Sequence, residues 1–434
     1  MYKRQELDAT DRVVLPGGVD AHCHLDEPMS GNVVIADDFY TGTVAAACGG
    51  TTTVIPFARQ IKGGSVKAAV EDAHRRAKGK AVIDYAFHPI ISDPTAELLN
   101  HELPSLIQAG YSSFKIYMTY DDLKLNDYQL LSVLALARQE GALTMVHAEN
   151  TDCIAWMIAQ LEEAGKILPY YHAVSRPMLV EREATHRAIS LSELVDVPIL
   201  LVHVSGREAV EQIQWAQNRG MRLYAETCPQ YLFLTEEDLG HGFEGAKCIC
   251  SPPPRDKANQ QVIWDGLVNG VFQIFSSDHA PFRYDDPQGK QVAGQNASFK
   301  YVPNGVPGIE TRLPLLFSEG VGQGRLDLNQ FVALTATNPA KLYGLYPRKG
   351  TIAIGSDADL VIWDPYQTVT ITNSMLHHNV DYTPYEGMKI TGYPEVTISR
   401  GEIVWQQGEL MATAGRGEFL PCGLSSLARP KLRR

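Results

Sequence analysis

Residues 15–24 form the stretch LPGGVDAHCH, in which an apolar run ends in His22 and His24. Residues two apart on a strand point to the same side, so both imidazoles can face one metal ion at the mouth of a barrel. A lone His-x-His pair is weak evidence, because ordinary packing also produces it. Its place at the end of a predicted strand favours a metal site over a structural pair.

Downstream of this stretch, short β-rich runs alternate with amphipathic helical segments, a pattern typical of repeated βα units and a parallel sheet. The predicted strands are 51–55, 81–87, Ser113–Tyr117, Leu143–His147, 198–203, 222–225 and 271–276. The predicted helices are 38–48, 96–109, 127–139, 181–194 and Arg207–Asn218. This many units favours a closed α/β barrel, although periodicity alone leaves an open sheet as the alternative.

After Tyr346 the pattern changes to strand-like pieces separated by Gly, Pro and Asp turns, which predicts a small β domain. These pieces are 351–354, 359–363, 368–371 and 396–404. At the other end, 11–20 already contains the first barrel strand and leaves little chain to complete the β domain. We therefore expect an N-terminal truncation, with residues 1–5 not native.

The predicted division of the chain has four parts. These are 1–16, a remnant of the small β domain; 17–345, the barrel; 346–411, the C-terminal part of the β domain; and 412–434, a tail for which a subunit contact is expected.

Composition excludes several classes of protein. The formal charge of −12 argues against a general nucleic-acid surface, which needs clustered Lys and Arg. No apolar run approaches the roughly 20 residues that span a bilayer, and the polar start has no signal-peptide core, so we expect a cytoplasmic protein without membrane contact. Seven scattered cysteines indicate free thiols rather than a disulfide framework.

Further metal-capable side chains follow later predicted strands. His147 and His203 each end an apolar run, and Asp278 follows another in the sequence SSDHAP. Barrel enzymes place their catalytic groups at the carboxyl ends of strands. One such residue could be a buried structural histidine, but a succession of them at corresponding places favours a functional site. The neighbouring His279 is expected to be structural or to support a ligand.

Lys115 lies inside the predicted strand SFKIY, which should be buried on both faces. A buried ammonium is costly, so an ion-paired lysine, or one that extends to solvent, is the ordinary expectation. If carbon dioxide carboxylated its amine, the side chain would become an anion with two oxygens able to bridge two metal ions.

Together these motifs resemble the hydantoinase and dihydropyrimidinase branch of the cyclic amidohydrolases, over about residues 13–405. The segments that carry the resemblance are PGGVDAHCHLD (16–26), FKIYMTY (114–120), VHAEN (146–150), VHVS (202–205), CSPPPR (250–255) and SSDHAP (276–281). The resemblance implies a distorted (β/α)8 TIM barrel with a small β-sandwich domain, and assembly as a homotetramer.

The resemblance also implies the parts of the site. Two divalent ions, usually zinc, would be held by His22, His24 and Asp278 and by His147 and His203, and bridged by carboxylated Lys115 and a hydroxide. Asp278 would be the general base and acid, and Tyr120 would hydrogen-bond the oxyanion. Ser251 and Asn304 would bind the ring amide through backbone groups. The expected reaction opens hydantoins or dihydropyrimidines to N-carbamoyl amino acids.

Three alternatives differ from this expectation. Dihydroorotase carries an Arg two residues after its second metal-binding histidine, whereas this chain has Asp26, which predicts an uncharged ring. Allantoinase is less firmly excluded, although its usual pattern lacks the tyrosine that corresponds to Tyr120. A non-enzymatic scaffold related to the family would have lost metal ligands, and here all six candidates are present. The preferred ring and enantiomer depend on loops 25–39 and 117–125, which sequence cannot orient.

Overall fold

The computed structural model describes residues 6–430, so the prediction about residues 1–5 and the last four residues of the tail lie outside the described part. The strands, in chain order, are β1 (Val13–Pro16), β2 (Gly18–Cys23), β3 (Thr51–Arg59), β4 (Asp84–Tyr85), β5 (His88–Ile90), β6 (Ser113–Tyr117), β7 (Leu143–His147), β8 (Ile199–Leu201), β9 (Leu223–Thr227), β10 (Ile274–Phe275), β11 (Leu360–Thr370), β12 (Lys389–Ser399), β13 (Glu402–Gln406) and β14 (Glu409–Leu410).

The α-helices, in chain order, are α1 (Phe39–Cys48), α2 (Val66–Ala77), α3 (Leu103–Gln108), α4 (Asp127–Glu140), α5 (Thr151–Glu163), α6 (Tyr170–Ser175), α7 (Met178–Val195), α8 (Arg207–Asn218), α9 (Gln230–Phe233), α10 (Lys257–Val268), α11 (Arg312–Leu316), α12 (Leu328–Val332) and α13 (Asn338–Leu342). Wider π-helical turns at Leu98–Glu102, Phe317–Val321 and Ala333–Thr337 adjoin α3, α11 and α13.

Parallel pairing runs from β2 to β10 in the order β10-β9-β8-β7-β6-β5-β3-β2. Both β4 and β5 pair with β3 and share one position, so the sheet has eight positions. An isolated parallel bridge between Cys23 and His279 joins the two ends, where the His24 N–H donates to the His279 carbonyl over 2.7 Å. The sheet is therefore a distorted closed barrel, and the open alternative is excluded.

Burial explains why these segments form strands inside a ring of helices. Every residue of β2, β6 and β7 is buried, as expected for parallel strands covered on both faces. The surrounding helices bury one stripe: α2 buries Val66, Val70, Ala73 and Ala77. Asp38 caps α1 by accepting from the N–H groups of Tyr40 and Thr41, as its sequence position suggests.

The second unit is an antiparallel sheet of order β1-β11-β12-β13-β14. Its presence beside the barrel confirms the predicted class, a distorted (β/α)8 barrel with a small β-sandwich domain. Some predicted limits were wrong. The piece 351–354 is not a strand, the pieces 359–363 and 368–371 belong to β11, and 396–404 contains the turn between β12 and β13. The run 11–20 holds β1, in the small sheet, as well as the start of β2.

The segment after β14 packs across the amino-terminal end of its own barrel. The Leu420 N–H donates to the Tyr85 carbonyl over 2.7 Å, and the Phe419 ring stacks 5.4 Å from that of Tyr111. Leu420 is fully buried. This segment therefore closes the end of the barrel opposite to the strand termini that carry His22 and His147.

Across residues 6–430, none of the helices combines the length and the apolar character needed to cross a membrane.

Candidate metal centre and substrate pocket

One cavity of about 380 Å³ lies at the carboxyl ends of the barrel strands. The nine predicted site residues all line it: His22, His24, Lys115, Tyr120, His147, His203, Ser251, Asp278 and Asn304. They come from widely separated parts of the sequence, and the barrel brings them together.

The strand ends explain how the metal-capable groups converge. His22 lies on β2 with His24 just beyond it, Lys115 lies within β6, and His147 ends β7. His203 and Asp278 follow β8 and β10 by two and three residues. All six therefore project from neighbouring ends of one closed sheet.

His22, His24 and Asp278 form the first group of possible ligands. One Asp278 carboxylate oxygen lies 3.1 Å from His22 Nε2 and 3.5 Å from His24 Nε2. Burial opposes ionisation of Asp278, but the two histidines hold its pKa well below the ordinary value. The group presents two imidazole nitrogens and a carboxylate to one point, a donor set that suits Zn²⁺.

His147 and His203 form the second group. His147 Nδ1 lies 2.9 Å from His203 Nε2, so two ring nitrogens again face one place. Burial lowers the pKa of His203 well below its ordinary value, which favours the neutral ring that a metal requires.

Lys115 stands between the two groups. It is fully buried, and its Nζ lies 3.4 Å from His22 Nε2 and over the rings of Phe57 and Tyr117. Burial lowers its pKa to about 8. An ammonium is therefore poorly accommodated here.

Three carboxylates that the sequence analysis missed hold the imidazole rings. His22 Nδ1–H donates to Glu226 over 2.6 Å, His24 Nδ1–H to Glu27 over 2.5 Å, and His147 Nε2–H to Glu149 over 2.7 Å. In each ring the other nitrogen then carries a lone pair that faces the cavity. Glu149 follows His147 by two residues, so its spacing was a usable signal, whereas Glu226 is 204 residues from His22.

Arg176 stabilises the charge of one of these carboxylates, Glu149. Its guanidinium donates to Glu149 over 3.0 Å. Burial opposes ionisation of Glu149, but Arg176 and His147 outweigh it and lower its pKa to about 2. The carboxylate is thus kept charged, which keeps the Nε2–H tautomer of His147.

Backbone strain marks three of the predicted residues. Tyr120, His203 and Asp278 have φ values of 67°, 39° and 47°, in the left-handed region that residues with side chains rarely adopt. Such conformations cost about 1–3 kcal/mol each and cluster at functional sites. With these backbone conformations, the three side chains point into the cavity just beyond the ends of their strands.

Tyr120 and Asn304 meet at the wall of the cavity beside Ser251. The Asn304 amide donates to the Tyr120 hydroxyl over 3.2 Å, and the Arg176 guanidinium lies 5.9 Å from the Tyr120 ring. The residues predicted to bind substrate are thus brought to one side of the histidine cluster.

The structure corrects the argument from Asp26. Its carboxylate lies 3.0 Å from Arg76 and 3.2 Å from Lys80, and it does not line the cavity. A positive φ of 50° accompanies this turn away from the site. Asp26 therefore exerts no direct repulsion on a ligand in this cavity.

Two cations of the cavity wall, Arg59 and Lys300, have carboxylate partners within the protein. Arg59 is paired with Asp122 at 2.5 Å and with Glu27 at 3.4 Å, and Lys300 is paired with Glu162 at 2.7 Å. A ligand carboxylate would therefore have to compete with Asp122 and Glu162 for these side chains.

His279 is structural, as expected. Its Nε2 lies 3.0 Å from Asp37, and its Nδ1 accepts the Gly308 N–H over 3.0 Å. Both ring nitrogens are thus used within the fold.

Comparison with known proteins agrees with this geometry. A protein-family model described as "Amidohydrolase family" matches residues 13–404. The chain belongs to the amidohydrolase family. A D-hydantoinase of Ralstonia pickettii is 45% identical over 95% of this chain and 90% of that protein. A D-hydantoinase of Geobacillus stearothermophilus is 47% identical over 95% of this chain and 87% of that protein.

Solved structures show the same relationship. D-hydantoinase from a Bacillus sp. AR9 superposes with a TM-score of 0.94 at 45% identity, covering 97% of this chain and 92% of that one. Dihydropyrimidinase from Brevibacillus agri NCHU1002 superposes with a TM-score of 0.94 at 45% identity, covering 97% of this chain and 90% of that one. The predicted branch of the family is thereby confirmed.

Amidohydrolases generally hold a binuclear metal centre, and the residues of this chain fit one. Three imidazoles have one nitrogen held by a carboxylate and the other aimed into the cavity. Lys115 is buried among them over aromatic rings. These imidazole nitrogens, together with the Asp278 carboxylate, form a donor set that suits divalent cations.

Proposed function

We propose that this chain hydrolyses cyclic amides, opening hydantoins and 5,6-dihydropyrimidines to N-carbamoyl amino acids. The observation that carries the proposal is the convergence of six metal-capable groups in one cavity beside Tyr120. The D-hydantoinase and dihydropyrimidinase relatives, which the chain matches over nearly its whole length, support the same class of reaction.

The proposed ligand sets are His22, His24 and Asp278 for one divalent ion and His147 and His203 for the other, with carboxylated Lys115 between them. Zinc suits these nitrogen and oxygen donors. When bound, such a pair of ions lowers the pKa of water towards neutrality and polarises a carbonyl group.

The chain itself supplies positioning and proton transfer. Asp278 lies beside His22 and His24, where its carboxylate can accept a proton from the attacking water and pass it to the ring nitrogen that leaves. The Tyr120 hydroxyl lies on the same side as Asn304 and donates to the developing oxyanion. Backbone groups of Ser251 and Asn304 hold the ring amide.

An uncharged ring fits this cavity better than an anionic one. Arg59 and Lys300 are already paired, so a substrate carboxylate would be desolvated without a free partner. We therefore expect hydantoin and dihydrouracil to bind in preference to dihydroorotate.

The test is a panel of dihydrouracil, hydantoin, phenylhydantoin, allantoin and dihydroorotate on zinc-loaded protein. Ring opening of the first three, with little turnover of dihydroorotate, supports the proposal. Preference for allantoin would instead indicate an allantoinase-like enzyme. A folded protein that binds no metal and opens none of these rings would contradict the proposal and favour a scaffold.

Assembly and domain limits are part of the same proposal. We infer a homotetramer in the cytoplasm and the division 1–16, 17–345, 346–411 and 412–434. Trp156, 63% exposed on α5, is a candidate for a subunit contact. Analytical ultracentrifugation of the wild type and of a Trp156→Ser variant tests the assembly.

A further inference from the structure

Lys290 is a buried lysine that the proposed mechanism does not use. Only 1% of it is exposed, and its Nζ lies 5.6 Å from the centre of the Phe282 ring. Its contacts are backbone carbonyls: Nζ donates to Ile249 over 3.1 Å, to Pro303 over 2.7 Å and to Gly305 over 2.7 Å. Three donated bonds use the three hydrogens of an ammonium, the form that these carbonyls favour, whereas burial lowers the pKa of Lys290 to about 7.

The three carbonyls belong to the two segments that carry the proposed amide-binding residues. Ile249 lies two residues before Ser251, and Pro303 and Gly305 flank Asn304. The Gly305 N–H also donates to the Ile249 carbonyl over 2.9 Å. Lys290 therefore links the 249–251 and 303–305 segments through hydrogen bonds to both, an arrangement called the clamp below.

The 303–305 segment is also fixed by close packing against Ala280. A Cβ at Gly305 would lie 2.4 Å from the Ala280 Cβ and 2.5 Å from the Ala280 carbonyl oxygen. Ala280 follows Asp278 by two residues, so this packing also sets the distance between Asn304 and the metal-capable cluster. The Lys290 bonds hold the segment in that position.

The bond to Pro303 has an electrostatic consequence as well. The carbonyl of Pro303 and the N–H of Asn304 belong to one peptide group. A cation hydrogen-bonded to the carbonyl polarises this group and makes its N–H a stronger donor. The charge of Lys290 thus reaches the cavity through one peptide bond.

We propose that Lys290 is a positioning residue for the substrate: its ammonium clamps the 249–251 and 303–305 segments and strengthens the Asn304 N–H that binds the ring. This inference rests on the proposed function. It adds a residue outside the cavity wall that determines how well the ring amide is held.

The test compares Lys290→Met with wild type and with Lys349→Met. Lys349 is a matched control, because it is also 1% exposed and contacts three groups, but these are Asp84, Asp357 and Asp359, away from the cavity. For the ring that wild type hydrolyses, Lys290→Met should raise KM about tenfold, the size of one lost hydrogen bond, with unchanged zinc content. Lys349→Met should lower stability and leave KM unchanged.

This KM readout separates positioning from general damage. Partial unfolding reduces the amount of active enzyme and hence the apparent kcat, but it does not change KM. A KM for Lys290→Met equal to that of wild type would overturn the inference. If Lys290→Met does not fold, Lys290→Gln, which is neutral and shorter, carries the same expectation.

Hydrogen–deuterium exchange decides the clamp without any turnover. Peptides covering 249–253 and 302–306 should exchange faster in Lys290→Met than in wild type or Lys349→Met. Unchanged exchange in both segments would contradict the clamp, even if wild type opens no ring and the proposed function fails. Failure of the inference and failure of the proposed function therefore give different results.

Discussion

At the scale of single residues, Lys115 sets the strongest constraint on the site. Its amine is fully buried and lies 3.4 Å from His22 Nε2. A carboxylated amine would replace this poorly accommodated cation by an anion among imidazoles, which is the arrangement two cations need. In that form the side chain would be a ligand for both proposed ions.

We predict that Lys115→Ala loses most of the bound metal and activity, because the group between the two ion positions is removed. Short carboxylic acids such as acetate or propionate should restore part of both by filling the space. Metal per chain by atomic emission and ring-opening rates measure the effect. Lys247→Ala, at a surface pair with Glu244, should behave as wild type. Full activity and metal content in Lys115→Ala would rule out the bridging role.

Glu226 is expected to affect metal binding through His22, without contacting an ion itself. Its carboxylate accepts the His22 Nδ1–H over 2.6 Å and thereby directs Nε2 to the cavity. Glu226→Gln should weaken metal affinity about 10- to 100-fold, as loss of such carboxylate support usually does. Competition with a zinc chelator measures this. Glu211→Gln, on the exposed face of α8, is the control, and equal affinity in both variants would be evidence against the orienting role.

The groups that project from strand ends could be predicted, because an apolar run followed by His or Asp can be recognised from the sequence alone. It could not predict Glu226, which meets His22 only when β9 and β2 lie in the same barrel. Asp26 shows the opposite error. Its spacing from His24 placed it in the site, but its backbone turns the carboxylate to Arg76.

At the scale of elements, the βα alternation was predictable and the limits of short strands were not. The prediction 81–87 contains β4 and ends just before β5, which pairs with β3 beyond a break in the strand. The prediction 396–404 missed the turn at Arg400 and Gly401, which have φ of 48° and 77°, although Gly401 is itself a turn signal. The partner of β4 and β5, the strand β3, is distant in sequence, whereas β12 and β13 pair across a local turn.

The segment that covers the barrel floor supports a prediction at this scale. Leu420 is fully buried there, whereas Leu424 in the same segment is 44% exposed. Leu420→Ala should cost roughly 2–5 kcal/mol of stability, because it leaves a cavity in the core. Leu424→Ala should cost little. Thermal unfolding compares the two.

Activity adds a second readout to that pair. Leu420 lies at the end of the barrel opposite to the cavity, so KM should be unchanged in both variants at temperatures where they are folded. Equal melting temperatures for the two variants would show that the segment does not contribute to the core.

At the scale of the whole molecule, the six proposed ligands come from five of the eight barrel positions. They lie on or after β2, β6, β7, β8 and β10. Ions bound there would join strands on different sides of the barrel, including β2 and β10, where the sheet closes through the isolated bridge between Cys23 and His279. Metal binding should therefore stabilise the closed barrel as well as activate it.

We predict that chelation abolishes activity and lowers the unfolding temperature, because the ions bind the folded site and not the unfolded chain. With free metal at 100 times its dissociation constant the stabilisation is about 2.7 kcal/mol, which corresponds to a shift of about 3 °C for a chain of this size. Differential scanning calorimetry with and without zinc measures it. Lys115→Ala, which should hold little metal, should show a much smaller shift. Equal unfolding temperatures for chelated and zinc-loaded wild type would mean that the ligands converge without binding ions, and the cavity would then belong to a scaffold rather than an enzyme.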